Sequence, residues 1–350
     1  MLNAITAARR QVLLEMYLVE SGQLTDRFIA ALSAARSRGV RVCVLLDDFG
    51  CRRLNAQDRA HLQSYGVELS YHNPLRFGGK LRRNLYRDHR KLLIVDDTCA
   101  FVGGAGLTDA FDPEQHPQLY WHDVMVEIRG PLVADWQAVF IHNWTNWATD
   151  SVPPDIGSIS TSGQQTGRVS LAGPYTHAMI KRSLLQQISR ARGRIWLATG
   201  YFVPSWKLRR RLARAARRGI DVRLLLPGPH TDHPAIRHAG RRFYQGLLRS
   251  GVHIFEYQPR FQHSKVALID SWVAVGSSNL DRWNLRWNLE ANQEIDAPDF
   301  AAETAEMFLR DFADSQEFHF ASWGHRPWQA RLAERFWGAV DRWVDRHSRR

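Results

Sequence analysis

Two copies of one short pattern bring together a histidine, a lysine and an aspartate. The spacing is H-x-K-x4-D in both, with His89, Lys91 and Asp96 in the first copy and His263, Lys265 and Asp270 in the second. A single match would carry little weight in a chain with 15 histidines. Each copy, however, coincides with an apolar strand-like run and is followed by a glycine turn. Alternation along a strand predicts that the histidine and the lysine share one face.

The chemistry that fits this pattern is cleavage or transfer at a phosphodiester. Such a reaction needs a nucleophile, an acid that protonates the leaving oxygen, and fixed positive charge on the non-bridging oxygens. Two imidazoles can supply the first two, and two lysines with backbone N–H groups can supply the third. A histidine nucleophile implies a covalent phosphohistidine and a two-step reaction that needs no metal ion and no cofactor. The alternative is that both histidines are structural residues bonded to backbone groups.

The elements that must position the motifs are themselves duplicated. An apolar strand, a helix that ends in Arg-Gly and a second apolar strand occupy 12–18, 28–39 and 40–46, and again 195–203, 208–219 and 220–226. After them, 62–74 matches 247–259, and 89–106 matches 263–279. Repeated strand–helix–strand units predict an α/β fold with largely parallel strands and right-handed crossovers.

This duplication predicts two domains of the same α/β type. We place the first at 1–150 and the second at 168–322, because 151–167 is rich in Ser, Gly, Pro and Thr and has the composition of a linker. Residues 323–350 form a tail rich in Trp and Arg. Because both histidines must reach one phosphorus, we expect the two domains to be related by a pseudo-two-fold axis and to share one active site.

The charge balance favours an anionic partner. Lys and Arg number 47 and Asp and Glu 35, which gives a net charge of +12. Nucleic acid, anionic lipid headgroups and phosphorylated small molecules all suit such a surface. Hydrophobic residues make up 44% of the chain, which excludes a wholly disordered protein. The three cysteines form no C-x-x-C pair, which argues against a disulfide scaffold and a cysteine-built zinc site.

Membrane contact is expected from the surface rather than from a spanning helix. The sequence has no run of 18 apolar residues and no apolar core of a secretion signal, so we expect a peripheral protein on the cytoplasmic side of the membrane. The tail at 327–350 is the main candidate for this contact, since Leu332, Phe336, Val340 and Trp343 recur at helical spacing between arginines. The alternative is a terminal helix docked on the second domain.

The segment 227–242 holds further histidines and arginines. A metal site at His230 and His233 would need other ligands that the sequence does not offer, so no metal is expected there. Three arginines are expected either to meet lipid phosphates or to face solvent: Arg237, Arg241 and Arg242.

The second half carries a long and specific resemblance. The segments YFVPSWKLRRRLARAARRGIDVRLLLPG, FEYQPRFQHSKVALID and GSSNLDRWNLRWNLEAN resemble the phospholipase D superfamily, and within it the bacterial cardiolipin synthases that lack transmembrane helices. The resemblance covers about residues 10–320. It implies transfer of a phosphatidyl group from one phosphatidylglycerol to another with release of glycerol. Anionic phospholipids are then the partners, and no nucleic acid is expected.

The resemblance also implies roles for individual residues. His89 matches the nucleophile, and His263 matches the acid that later acts as the base. Two lysines match phosphate ligands (Lys91 and Lys265), two carboxylates match those that orient the histidines (Asp123 and Glu290), and two aspartates are expected to be structural (Asp96 and Asp270). Ser278 and Asn279, in the turn after Gly276, are expected to donate hydrogen bonds to the phosphate.

Two departures from the family pattern concern the turns after the motifs. Gly106 stands where the family has an asparagine, and Thr108 is expected to replace part of that phosphate contact. The second half is one residue short between Asp270 and Gly276, which would shift Ser278 and Asn279 by one pleat. Ser277 would then take the place of one of them.

Other functions use the same motifs. A phospholipase D-type phosphodiesterase or a nuclease would need the same two histidines, and an inactive anionic-lipid-binding protein is the reading that Gly106 favours. The sequence leaves open the acceptor, which can be phosphatidylglycerol, phosphatidylethanolamine, another alcohol or water. It also leaves open which histidine attacks first and the oligomeric state.

Overall fold

The computed structural model describes residues 1–76, 78, 81–148, 154, 163, 165–173, 179–281 and 287–348, with the backbone alone at 81, 82, 330 and 341–348. Contacts divide the chain into two compact units. The first unit comprises Met1–Ile180, Val275–Ser278 and Leu285–Ile295, and the second comprises Lys181–Ala274, Asn279–Asn284 and Asp296–Arg350. Two short segments of the second sequence repeat therefore belong to the first unit.

The first unit is built on a six-stranded mixed sheet. Its strands are β1 (Gln11–Met16), β2 (Arg41–Asp47), β3 (Glu68–His72), β4 (Lys91–Val95), β5 (Cys99–Gly103) and β6 (Met125–Arg129), in the order β3-β2-β1-β4-β5-β6. Its helices are α1 (Leu2–Ala7), α2 (Gln23–Ser37), α3 (Ala56–Ser64) and α4 (Leu132–Trp147). Strands β1, β2 and β3 run parallel, and β4, β5 and β6 continue antiparallel. Strands β7 (Thr166–Ala172) and β13 (Glu290–Asp296) lie side by side, β13 being part of this unit through Ile295.

Continuous apolar runs explain the central strands. Strand β1 is buried along its whole length and β2 is buried beyond its first residue, which is typical of strands covered on both faces. Helix α2 buries Phe28, Ile29 and Leu32 against this core. The helix ends at Ser37, and Gly39 follows with a φ of +86°, a left-handed conformation that favours glycine.

The second unit repeats the same chain path. Its strands are β8 (Arg194–Ala198), β9 (Asp221–Pro227), β10 (His253–Tyr257), β11 (Val266–Ile269), β12 (Trp272–Gly276) and β14 (Ser315–Phe318), in the order β14-β10-β9-β8-β11-β12. Its helices are α5 (Met179–Arg190), α6 (Trp206–Arg217), α7 (Pro234–Arg241), α8 (Tyr244–Leu248), α9 (Pro298–Ala313), α10 (Phe320–Trp323) and α11 (Trp328–Ser348). Strands β8, β9 and β10 are parallel, and β11 and β14 pair antiparallel to β8 and β10.

The strand orders confirm the predicted α/β class with a duplicated domain. The series β3-β2-β1-β4-β5 in the first unit corresponds to β10-β9-β8-β11-β12 in the second. Even the end of the first crossover helix is repeated, because Gly219 after α6 has the same φ of +86° as Gly39. The predicted linker at 151–167 lies almost wholly outside the described residues, and the domain boundaries at 150, 168 and 322 stay predictions.

One expectation about the motifs is wrong in detail. Neither histidine lies on a strand, since β4 begins at Lys91 and β11 begins at Val266, after the second motif's lysine. His89 and His263 instead occupy the segments that enter these strands. The apolar runs after each lysine form the strands themselves, and the sequence pattern alone gives no sharp start for them.

Candidate active site

The aspartates of the two motifs hold the first strand of each repeat. The Asp96 carboxylate accepts hydrogen bonds from the backbone N–H groups of Arg9, Arg10 and Gln11 at 2.7, 2.7 and 2.9 Å. The Asp270 carboxylate accepts from those of Arg192, Gly193 and Arg194 at 2.9, 2.9 and 3.0 Å. Both aspartates adopt a left-handed turn, with φ of 50° and 52°. These contacts are with backbone, and they tie the end of each motif to the start of β1 or β8.

Ionisation of Asp270 is favoured by this arrangement. Burial opposes the charge, but the backbone N–H groups of Arg194, Arg192 and Gly193 outweigh it and hold the pKa of Asp270 below its ordinary value. The aspartate is therefore charged at neutral pH and stabilises the turn between β11 and β12.

The His89 segment is fastened to the segment before β13. The backbone N–H of His89 donates to the carbonyl of Leu289 at 2.9 Å, and the N–H of Leu289 donates to the carbonyl of Arg87 at 2.8 Å. The next residue, Glu290, is buried and faces the imidazole. Its two carboxylate oxygens lie 3.0 and 3.1 Å from Nδ1 of His89. The hydroxyl of Ser277 also donates to this carboxylate.

This contact determines which nitrogen of His89 can react. A carboxylate only accepts hydrogen bonds, so Nδ1 of His89 carries the proton. In the neutral ring Nε2 then holds the lone pair, which is the nitrogen that can attack an electrophile. The negative charge of Glu290 would also stabilise a positively charged ring, formed when Nε2 is protonated or bonded to phosphorus.

Tyr17 and Lys91 lie against the same histidine. The ring of Tyr17 meets that of His89 edge-on, with the centroids 4.8 Å apart. The Nζ atom of Lys91 lies 5.1 Å from the Tyr17 centroid and donates to the carbonyl of His89 at 2.6 Å. Burial, and next the charge of Asp47, raises the pKa of Tyr17 to about 12, so its phenol is neutral. The motif pattern does not point to Tyr17, whose only signal in the sequence is that it is an aromatic residue directly after β1.

Asp47 fixes the backbone next to His89 from the other side. Its carboxylate accepts from the N–H of Asp88 at 2.8 Å and lies 3.5 Å from the guanidinium of Arg87. It also accepts from the N–H groups of Phe49 and Gly50 at 3.0 and 2.9 Å, which joins the loop after β2 to the motif. Burial raises the pKa of Asp47 to about 7, although the positive charge of Arg87 opposes this shift.

A network of buried polar side chains holds Asp88 and Arg90, the residues on either side of His89. The amide nitrogen of Asn143 donates to Asp88 at 2.8 Å and to Glu15 at 3.1 Å, and Arg90 lies 3.2 Å from Glu15. Burial and the negative charge of Asp88 raise the pKa of Glu15 well above its ordinary value. The amide oxygen of Asn143 contacts Nδ1 of His72 at 3.0 Å. The residues on both sides of His89 are therefore anchored by buried hydrogen bonds, which the motif alone does not reveal.

His263 has different contacts in the second unit. The Nζ atom of Lys265 lies 2.8 Å from Nδ1 of His263 and also donates to its carbonyl, as Lys91 does to that of His89. The rings of Phe261 and Tyr201 lie 5.4 and 6.2 Å from the imidazole. Each motif lysine is thus held at the backbone carbonyl of its own histidine, and Lys265 also lies beside the imidazole.

Gly200 allows the chain to run along the His263 ring. A Cβ atom at this position would lie 3.2 Å from Cδ2 of His263 and 3.4 Å from its Cα, tighter than most real contacts. The same loop holds Asn279, because Thr199 donates from its hydroxyl to the Asn279 amide oxygen at 3.2 Å. The amide nitrogen of Asn279 is buried and has no hydrogen-bond partner among the described residues. It is therefore a donor suited to an anionic oxygen.

The two serines beside Asn279 have separate contacts. Ser277 donates to Glu290, as described above, and accepts from the N–H of Ala291 at 3.1 Å. Ser278 donates its backbone N–H to the amide oxygen of Asn292 at 3.3 Å. Of the two, Ser277 is the one in contact with the residue that faces His89. Its phosphate role and that of Ser278 stay predictions.

The first-half turn has little room for a side chain at Gly106. A Cβ at Gly106 would lie 2.7 Å from the carbonyl oxygen of Leu18, so an asparagine does not fit this backbone. The Thr108 hydroxyl donates to Glu20 at 3.0 Å and accepts from the N–H of Ala110 at 3.4 Å. It therefore begins the short 3-10 helix at Asp109–Phe111. A phosphate contact by Thr108 stays a prediction.

Asp123 lies against the glycine turn after β5. Its carboxylate accepts from the N–H of Val124 at 2.7 Å, and a Cβ at Gly104 would lie within 2.4–2.8 Å of it. Only a glycine lets the backbone pass this close to the carboxylate. The predicted role of Asp123 in orienting a histidine stays a prediction.

Two arginines of α7 have a structural partner instead of the expected exposure. Arg237 and Arg241 lie 2.5 and 2.9 Å from the buried carboxylate of Glu256, which also accepts from the phenol of Tyr244 at 3.1 Å. Neither expectation for these two arginines is right, because burial of Glu256 requires a charged partner.

In the parts of the chain that the structure describes, no three His, Cys, Asp or Glu side chains are grouped so as to hold a metal ion, and no helix is long and apolar enough to cross a bilayer.

The sequence matches known families over most of its length. A family model described as "Cardiolipin synthase, PLD-like domain" matches residues 1–144 and 184–312. Cardiolipin synthase A of Pseudomonas aeruginosa (strain LESB58) is 35% identical over 323 residues, which cover 91% of this chain and 65% of that protein. Cardiolipin synthase 2 of Bacillus anthracis is 31% identical over 339 residues, which cover 95% of this chain and 66% of that protein. The chain thus spans about 65% of the length of the relatives it matches.

Solved structures with the same fold share little sequence. A phosphatidylserine synthase from Haemophilus influenzae Rd KW20 matches with a TM-score of 0.76 at 12% identity, covering 97% of this chain and 90% of that one. A polyphosphate kinase from Porphyromonas gingivalis matches with a TM-score of 0.60 at 16% identity, covering 91% of this chain and 45% of that one. At these identities the likeness shows the fold alone.

Proposed function

We propose that this chain, which belongs to the family of cardiolipin synthases with phospholipase D-like domains, transfers a phosphatidyl group from one phosphatidylglycerol molecule to another. Glycerol is released in this reaction. Water competes as an acceptor in this proposal. The observation that carries it is the contact between His89 and the buried Glu290, since it leaves the lone pair on Nε2.

The first step forms a phosphohistidine. Nε2 of His89 attacks the phosphorus of phosphatidylglycerol, and the bond between phosphorus and the oxygen of the terminal glycerol breaks. His263 donates a proton to that oxygen, so neutral glycerol leaves while the phosphatidyl group stays on His89. Protonation matters because an alkoxide is a poor leaving group.

The second step returns both histidines to their starting state. A hydroxyl of a second phosphatidylglycerol gives its proton to His263, and its oxygen attacks the phosphorus. The bond between phosphorus and Nε2 breaks, and cardiolipin is released. The sum of both steps is two phosphatidylglycerol molecules converted into cardiolipin and glycerol.

Positive charge and hydrogen-bond donors stabilise the transition states. Lys91 and Lys265, held beside the two histidines, neutralise the non-bridging oxygens, and the buried amide nitrogen of Asn279 donates to one of them. The aspartates of the motifs act as structural residues through the backbone contacts of β1 and β8. The excess of basic residues supports contact with an anionic membrane surface, which the proposal places on the cytoplasmic side.

The test is product analysis with labelled phosphatidylglycerol in mixed micelles. We expect labelled glycerol and cardiolipin, with phosphatidic acid as the product when water is the acceptor. His89→Ala and His263→Ala should both abolish cardiolipin, whereas His61→Ala, a change at an exposed histidine of the first unit, should leave it unchanged. Phosphatidic acid as the sole product would make the protein a hydrolase, and cleavage of single-stranded DNA without lipid turnover would make it a nuclease.

Trapping the intermediate tests the order of attack. Quenching the reaction at alkaline pH should preserve the phosphorus–nitrogen bond. Mass spectrometry of the digested protein should then locate the phosphatidyl group on His89. We expect the label to be lost in His89→Ala and retained to some degree in His263→Ala. A label on His263 in the unmodified chain would reverse the two roles.

A further inference from the structure

Helix α11 packs on α7 of the second unit through the side that carries Glu334 and Gly338. Among its described side chains these two residues are buried, and Ala333, Trp337 and Val340 are half-buried. Glu334 accepts from the guanidinium of Arg326 at 2.9 Å. The carbonyl of Gly338 accepts from Arg242, and a Cβ at Gly338 would lie 2.9 Å from that side chain. The buried part of the contact is therefore a close approach of backbone and charged groups.

The apolar side of α11 points away from the unit. Trp328, Leu332 and Phe336 are 67%, 58% and 59% exposed. They follow each other at intervals of four residues, so they form one stripe along the helix. Glu334 lies two residues from Leu332 and from Phe336, about 200° around the helix from each, which places it on the opposite side. A terminal helix that served only to cover the core would bury this stripe.

The surroundings of the stripe are positively charged. Arg331 and Arg335 are exposed and alternate with the apolar residues along the helix. Residues 328–350 contain six arginines against three acidic residues, in a chain whose net charge is +12. A helix with Trp, Leu and Phe on one side and arginines next to them suits the headgroup boundary of a bilayer. Two copies of the chain would repel each other, which disfavours pairing between two such helices.

We propose that the outer face of α11, defined as Trp328, Leu332 and Phe336 with Arg331 and Arg335, binds the surface of an anionic phospholipid bilayer. The three apolar side chains enter the headgroup boundary, and the two arginines pair with lipid phosphates. The choice of an anionic lipid rests on the proposed function, while the exposure of the stripe does not. The packing of Glu334 and Gly338 toward the second unit keeps this face turned outward.

The experiment is flotation of the full chain with vesicles of phosphatidylglycerol and phosphatidylcholine, compared with phosphatidylcholine alone. We expect flotation with the mixed vesicles and a steep decline with salt, because exposed charges are screened over about 8 Å at physiological ionic strength. The triple variant Trp328→Ser, Leu332→Ser and Phe336→Ser should lower the fraction bound about tenfold or more. Arg331→Gln with Arg335→Gln should lower it several-fold and flatten the salt dependence.

A matched control is Leu309→Ser, which removes an equally exposed apolar side chain, 50% exposed, from α9. This variant should float like the unmodified chain. Equal flotation of the triple variant and the unmodified chain would overturn the proposal. So would a concentration-dependent dimer in sedimentation that the triple variant abolishes, since the face would then bind a second copy.

Two further measurements separate this proposal from the proposed function. The thermal melting of the triple variant should match that of the unmodified chain, because the three side chains are exposed. His89→Ala should float normally, and the triple variant should keep its turnover on substrate dispersed in detergent. If vesicle flotation depends on the outer face of α11 but the chain has no transfer activity, only the proposed function is contradicted. If the chain is active and the triple variant still floats with vesicles, only this inference is contradicted.

Discussion

Glu290 lies 201 residues after His89 in the chain, and its carboxylate is 3.0 Å from the imidazole Nδ1 atom. The histidine belongs to the first sequence repeat and the carboxylate to the second. The pair forms because the segment 287–295 packs in the first unit, where Leu289 and His89 share a backbone hydrogen bond. The first repeat on its own therefore holds the histidine without the group that orients it.

Replacing Glu290 with glutamine tests this relationship. Glu290→Gln keeps the size of the side chain but removes the charge that stabilises the imidazolium, so we expect kcat to fall about 100-fold with little change in KM. Glu127→Gln, at an exposed carboxylate of β6, is the control. Unchanged kcat in Glu290→Gln would show that the contact is only structural.

Tyr17 should act through its ring rather than its hydroxyl. An edge-on aromatic contact is worth about 0.5–1.5 kcal/mol beyond the area it buries, so Tyr17→Leu should lower kcat about 2- to 12-fold by loosening His89. Tyr17→Phe retains the ring and should keep nearly full activity. Steady-state kinetics of both variants decide the matter, and an inactive Tyr17→Phe would show that the phenol itself takes part.

Asp270 should stabilise the fold in a pH-dependent way. Asp270→Ala removes three hydrogen bonds from backbone N–H groups, two of them exposed to water, so the free energy of unfolding should fall by about 1 kcal/mol at neutral pH. Because the native pKa is depressed, this contribution is present above the unfolded value and is lost as pH falls through the native pKa. Urea unfolding of both proteins between pH 7 and pH 3 should show the difference shrinking toward acid. Asp96→Ala is the counterpart in the first unit.

Asp47 should make the free energy of unfolding depend on pH in the opposite direction from Asp270. Its native pKa is raised from 3.8 to about 7 by burial, so the folded chain holds a proton that the unfolded chain has released. Stability from this group is complete below the unfolded pKa and is lost as pH rises to about 7, with a slope of up to about 1.4 kcal/mol per pH unit. Relative to Asp47→Asn, the unmodified chain should therefore lose stability between pH 4 and 7. A difference that does not change with pH would contradict this.

Gly106→Asn restores the family residue and should nevertheless destabilise the protein. The new Cβ would lie 2.7 Å from the carbonyl oxygen of Leu18, and such overpacking costs about 1–3 kcal/mol. The matched control is Gly246→Asn, where a Cβ meets no atom within 4 Å. Differential scanning calorimetry should show a lower Tm for the first variant than for the second. Equal Tm values would mean that the turn after β5 adapts to a side chain.

Periodicity and repetition were sufficient to predict the fold. The matching order of apolar strands, and the Arg-Gly ends of the crossover helices, indicated a duplicated α/β domain before any contact was known. The pattern did not give the strand starts at Lys91 and Val266, because the residues that enter a strand have no periodicity of their own.

The site was predicted in part. The motif residues follow from spacing and repetition, and Glu290 from a resemblance. Tyr17, Asp47 and Asn143 could not be found, since their role depends on tertiary contacts between segments far apart in the chain. The spacing of Leu332 and Phe336 likewise predicts an apolar stripe on a helix, but whether that stripe faces the protein or solvent depends on tertiary contacts. The pairing of Arg237 with Glu256 was equally hidden.

The origin of Glu290 in the second repeat also has a consequence during synthesis. At about 5–20 residues per second, 201 residues take roughly 10–40 s to translate, so His89 leaves the ribosome long before its carboxylate exists. A nascent or prematurely ended chain that stops before residue 290 therefore lacks the pair. On the proposed mechanism, Nδ1 of His89 has no carboxylate to orient it until residue 290 has been added.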